Sequence, residues 1–161
     1  MPSPKATAGF TLIEILVVLA VIAILLTMAM PNTSHRVAQK QIKESLDLIA
    51  PFKKSIADYY LATATFPSNN STAGLPDADK VMGNYLASVT VIDGALQLTL
   101  GNKALPQING KQVSIRPIYV ELSPASPVSW VCGFDEVPAA MQVSGDNQTN
   151  VELLQLPISC R

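Results

Sequence analysis

An unbroken apolar run from Phe10 to Met30, FTLIEILVVLAVIAILLTMAM, constrains this 161-residue chain more than any other feature. Wound as a helix it extends about 31 Å, which matches a bilayer hydrocarbon core of roughly 30 Å. Lys5, the one charged side chain before it, favours a cytoplasmic position for the N-terminal end. The run also explains an oily composition, 48% hydrophobic and only 14% charged, because the rest of the chain reads as a polar-surfaced domain. The length suits one compact domain plus an extra element, not two full domains.

Glu14 divides the possible meanings of the run. A secretory signal peptide needs a small-residue cleavage site after its apolar core, and Thr27-Met28-Ala29, closely followed by Pro31, is a poor one. A plain membrane anchor leaves Glu14 unexplained, since a carboxylate at membrane depth costs about 2.5–3.5 kcal/mol on insertion scales. An acid placed there calls for a specific partner.

Gly9-Phe10-Thr11-Leu12-Ile13-Glu14 resembles the junction of type IV prepilins. The resemblance rests on a short polar leader, a glycine before the apolar run, and an acid five residues into it. It implies cleavage after Gly9 by a prepilin peptidase and methylation of the new N-terminal Phe10. It also implies a role for Glu14 in assembly, neutralising the Phe10 amine of a neighbouring subunit inside an apolar bundle. Within one chain the two groups are four residues apart, so one continuous helix would place them on a common face. Pro31 matches the family and predicts a joint in the helix. Ala8, Ala23, Thr33 and Arg36 depart from the residues commonest in the family.

Beyond Pro31, Asn32 is a candidate cap for a second helical stretch reaching about Tyr60. Ile42, Leu46, Ile49, Phe52, Ile56 and Tyr59 recur every three or four residues and predict its buried stripe, with a second bend at Pro51. Residues 62–86 are rich in loop formers, and YYLATATFPSNNSTAGLP, over residues 59–76, resembles the helix exit and αβ-loop of major pilins. Residues 88–92, Asp93-Gly94 and residues 95–100 predict a β-hairpin. Further strands are expected over 111–122, where Pro117 marks an edge or a bulge, and over 128–132. The expected fold is α+β: a long N-terminal helix packed on a roughly four-stranded antiparallel sheet, closed by a C-terminal disulfide loop.

Cys132 and Cys160 are the two cysteines. Free thiols, a metal site and a disulfide are the alternatives. His35, the single histidine, is remote in sequence and no C-x-x-C spacing occurs, which argues against metal. Export favours the disulfide, which in the chain-entropy account contributes about 3.5 kcal/mol. Trp130-Val131-Cys132-Gly133 and Leu156-Pro157-Ile158-Ser159-Cys160 resemble the last strand and closing segment of major pilins, so the likeness covers nearly the whole chain.

The expected organisation is a leader over 1–9, an apolar membrane and polymerisation helix over 10–30, and an amphipathic half over 31–60. A head over 61–161 follows, with the αβ-loop over 61–87, the sheet over 88–132 and the disulfide-bounded loop over 132–160. The formal net charge is −1, and past residue 60 acids outnumber bases. Nothing there offers a seat for a phosphate backbone, so direct nucleic-acid binding is not expected. His35, flanked by Ser34 and Arg36, reads as a solvated side chain. Asp77 with Asp79 and Asp135 with Glu136 read as solvated loop charges, with weak calcium binding the other reading. No cofactor, metal, small-molecule substrate or catalytic residue is expected.

By family implication the chain is a structural subunit of a type IV pilus, used in adhesion, twitching motility, biofilm formation or DNA uptake. The alternatives are a minor pilin acting as a DNA or host receptor and a pseudopilin of type II secretion. The expected partners are further copies of itself, the prepilin peptidase and methyltransferase, and the inner-membrane assembly machinery. The expected locations are the bacterial inner membrane, as a single-pass precursor, and then the extracellular surface.

Overall fold

The computed structural model describes residues 9–29 and 33–161. Most of the expected leader, Pro31 and the Asn32 cap lie outside the described residues. The chain forms two compact units, the second covering Ser34–Arg161.

The first unit contains helix α1, Leu12–Ala29. Thr11 starts it: its carbonyl accepts from the Glu14 and Ile15 amides at 3.1 and 3.4 Å. Leucine and alanine favour helix, and no glycine or proline interrupts the 18 residues. Apolar side chains occur around its whole circumference, and those from Leu12 to Leu26 are exposed in the single chain. As a helix α1 extends about 27 Å. No helix among the described residues is long and apolar enough to cross a membrane; the expected run continues past the last residue described in α1.

The second unit opens with α2, Thr33–Leu48, and α3, Ala50–Thr63. Pro51 separates them as expected. It sits in the first turn of α3, where its missing N–H is one that no helix satisfies. One apolar stripe crosses the joint: Ala38, Ile42, Ile49 and Ile56 are fully buried. It ends on Tyr60, 5% exposed, rather than on Tyr59, because the final step from Ile56 is four residues and not three. Buried Gln41 and Ser45 widen the stripe. Gln41 accepts the Leu105 amide and Ser45 bonds back to the Gln41 carbonyl, which satisfies polar groups that the apolar pattern did not reveal. Helix α3 stops where Ala64 turns left-handed and donates to Tyr60 O.

An antiparallel sheet covers this stripe. Strand β1 is Leu86–Ile92, β2 Ala95–Leu100, β3 Gln112–Tyr119, β4 Ser129–Cys132 and β5 Gln142–Val143. The order is β1-β2-β3-β4, with β5 paired to β3. Asp93 and Gly94 both take positive φ, 49° and 81°, the two-residue turn that suits a right-twisted hairpin. Leu96, Leu98, Leu100, Val113 and Ile115 point to the helices and are buried.

Strand β3 is fully central. Its first half pairs with β2 and its last residues with β5. Pro117 lies at the handover: its carbonyl accepts the Ser144 amide at 3.0 Å, and by pairing parity its absent N–H faces the seam, not β4. Strand β5 was not expected, since two residues of pairing leave no periodic signal.

Cys132 and Cys160 form the disulfide, with Cα atoms 4.4 Å apart and a sequence separation of 28. The chain between them straps the sheet face away from the helices. Gln97 Nε2 donates to Asp146 O at 2.9 Å, Ser114 Oγ donates to Gln97 Oε1, and Gln148 N–H donates to Ser114 Oγ at 2.7 Å. This cover explains why Gln97 and Ser114 are buried although they point outward from the core.

Candidate processing and assembly site

Three features bear on the processing and assembly expected from the sequence: the junction before α1, the outer surface of α1, and the exposed surface of the head.

At the junction, Gly9, Phe10 and Thr11 precede the first helical residue. Gly9 is exposed, and a Cβ built there would meet nothing within 4 Å. Packing among the described residues therefore makes no demand for glycine. Phe10 is 80% exposed and Leu12 equally so. Glu14 lies in the first turn of α1, where the positive end of the helix dipole favours a carboxylate. Its amide donates to Thr11 Oγ1 at 3.4 Å, so Thr11 is the cap. Among the described residues the Glu14 carboxylate has no hydrogen-bond partner.

One sequence expectation changes here. Because the helix starts at Leu12, Phe10 lies before it and does not share a helical face with Glu14 in this uncut chain. Thr11 takes the cap position, and Thr11-x-x-Glu14 is the pattern of a capping box. The apolar run hid that signal, because Phe10 looks like its natural first member.

In the head the αβ-loop is tied down, not free. Asn70, 8% exposed, donates to Pro76 O and Val89 O at 2.9 Å and accepts the Val91 amide at 2.7 Å. It thereby satisfies backbone groups on β1, the edge strand, as a neighbouring strand would. Tyr60, Phe66 and Tyr119 stack where the loop leaves α3, with centroids 4.3 to 5.4 Å apart. Burial raises the Tyr60 phenol above its ordinary value, and Tyr119 adds to the shift.

On the other flank of α2 an open groove of about 950 Å³ lies between the two head helices and residues 157–159. Arg36, Lys40, Lys43 and Lys53 line it, with Asp47 among them. Burial lowers the Lys53 ammonium below its usual value, partly opposed by Asp47. Its Nζ sits 5.8 Å from the centroid of the Trp130 ring. Arg36, Lys40 and Lys43 recur at helical spacing opposite the apolar stripe, as the sequence predicts; the fold adds the closing segment that completes the groove. His35 also differs from expectation: it is half-buried, and its Nδ1 is enclosed without a hydrogen-bond partner. Asp79 pairs with Lys80 at 3.1 Å.

Comparison with known proteins places this architecture. The Pilin family, described as bacterial filament, matches residues 38–161, and the prokaryotic N-terminal methylation motif matches residues 4–30. A fimbrial protein of Neisseria meningitidis is 31% identical over 95% of this chain and 93% of its own length. The type IV major pilin protein PilE1 of Neisseria gonorrhoeae is 31% identical over 95% of this chain and 86% of its own. The type IV major fimbrial protein FimA of Dichelobacter nodosus is 32% identical over 66% of this chain.

Proposed function

This chain belongs to the pilin family of bacterial filament proteins, and from that premise we propose how its two units divide the work of building a fibre. It is a structural, non-enzymatic subunit of a type IV pilus, and the filament it forms is extracellular.

The proposed sequence is staging, cutting and polymerising. The precursor waits in the bacterial inner membrane, its apolar helix in lipid and its head, closed by Cys132–Cys160, on the outer side. A prepilin peptidase removes residues 1–9, and the Phe10 amine is then methylated. Gly9 supports this assignment, because among the described residues no packing requires a glycine there.

Cleavage creates a positive charge at Phe10, since an α-amino group titrates near 7.7–8.0. Thr11 holds Glu14 in the first helical turn, three residues beyond the cap. Placing a neighbour's amine against that carboxylate neutralises both where an unpaired charge would be strongly unfavourable. The pair thus sets the stagger at which a subunit is accepted. Lateral transfer of α1 from lipid to a bundle of like helices keeps it in apolar surroundings. Little hydrophobic free energy then opposes either addition or removal of a subunit.

The observation that carries this reading is an α1 apolar on all sides beside a head whose own core is complete. Intact-mass and N-terminal analysis of protein sheared from producing cells tests it. The expected product starts at methylated Phe10 and has Cys132 bonded to Cys160. The same mature chain found only in the envelope would favour a pseudopilin or minor pilin. A start at Met1 despite an active peptidase contradicts the cutting step.

A further inference from the structure

The cationic groove has a counterpart in the same molecule. Between the two cysteines the chain carries Asp135, Glu136, Asp146 and Glu152, all exposed, and no lysine or arginine. Among the described residues the ion pairs are Lys54–Asp58 and Lys80–Asp79. The groove's cations and these acids are therefore all without an ion-pair partner among the described residues, and Asp47 offsets one of the four positive charges. Two of the acids are presented on a firm turn. Phe134 N–H donates to Cys160 O and Asp135 N–H donates to Cys132 O, each at 3.0 Å. Phe134 is itself exposed, and Ile158, 85% exposed, rims the groove.

We infer that the turn Phe134-Asp135-Glu136 of one copy seats in the groove of the next, with its acids against Lys40 and Lys43 and Phe134 against Ile158. The turn donates to Cys160 O and residues 157–159 line the groove, so the segment closed by the disulfide joins the two. A contact between two different patches on identical chains is heterologous, and where its rotation does not close into a ring it propagates as the open helical array a fibre requires. Exposed charges of this kind contribute orientation and association rate more than affinity. The contact would therefore set head register while α1 supplies cohesion. This inference rests on the filament reading.

The test is charge reversal in the full chain, read as filament sheared from producing cells. Lys40→Glu with Lys43→Glu, and separately Asp135→Lys with Glu136→Lys, should each lower filament yield about tenfold, since like charges then face each other. Combining all four should restore most of it. The envelope pool of processed, oxidised subunit should stay constant, and Lys40→Gln with Lys43→Gln gives a milder loss if reversal disturbs folding. Unchanged yield in the reversed variants, or no rescue in the combination, overturns the contact while leaving the filament reading intact. Unchanged yield with lost retention of double-stranded DNA by the filaments overturns it in favour of a nucleic-acid groove. Absence of filaments from the unaltered chain contradicts the filament reading itself.

Discussion

Helices α1 and α2–α3 are built from opposite patterns, and the contrast separates folding from assembly. In α2–α3, Ala38, Ile42, Ile49 and Ile56 form one buried stripe beneath the sheet, and charged residues occupy the other side. In α1 no polar face exists, and Glu14 is the only charged residue. A one-sided stripe can be completed by a single sheet from the same chain. An apolar circumference needs neighbours on every side, which lipid or a bundle of sister helices supplies. In the head hydrophobic burial acts within the molecule, whereas on the proposed reading α1 exchanges lipid for sister helices and is held by packing between molecules.

The largest expected effect comes from a charge in α1. Val18→Asp should abolish filaments and leave the unfolding midpoint of the head unchanged, measured by urea titration of detergent-extracted protein. The mirror experiment is Leu98→Ala in the core, which should cost roughly 2–5 kcal/mol of head stability by transfer and cavity terms. Loss of stability in the first variant, or none in the second, would break the division between the two units. Cys132→Ser should cost the head about 2–5 kcal/mol, the range for a native bridge in a small secreted domain. Denaturant titration with and without reductant would check it.

Asn70→Ala should cost about 1–3 kcal/mol, because it strips buried partners from the edge of β1. Hydrogen exchange at the Val91 amide should rise with it, whereas Asn69→Ala should do far less. The smallest effect concerns pH. Tyr60 has its proton held more tightly in the fold than in the unfolded chain, so its contribution is complete below about pH 10, the ordinary phenol value. As pH rises past that point the unfolded chain ionises first, and head stability should fall. Tyr60→Phe should flatten that decline.

The sequence carried unequal information about the two units. The hairpin was legible because Asp93-Gly94 chooses its own turn chemistry, and the joint at Pro51 because a proline cannot lie deeper in a helix. The apolar run was plain to see, yet it concealed where α1 starts, since Phe10 fits the pattern and only the capping threonine excludes it. In the head, Tyr60 and Tyr59 lie four and three residues beyond Ile56, and the four-residue step places Tyr60 against Phe66 and Tyr119. Strand β5, the strap over Gln97 and Ser114, and the approach of residues 157–159 to the cationic side of α2–α3 depend on contacts between distant positions. Local pattern is silent about those.

The head expressed as Ser34–Arg161 with its disulfide formed provides the most direct test of this division. The account predicts a soluble monomer that unfolds in one cooperative step and never enters filaments beside the full chain. A fragment that unfolds or aggregates without α1, or one that enters the filament without it, would contradict the claim that folding belongs to the head and assembly to α1.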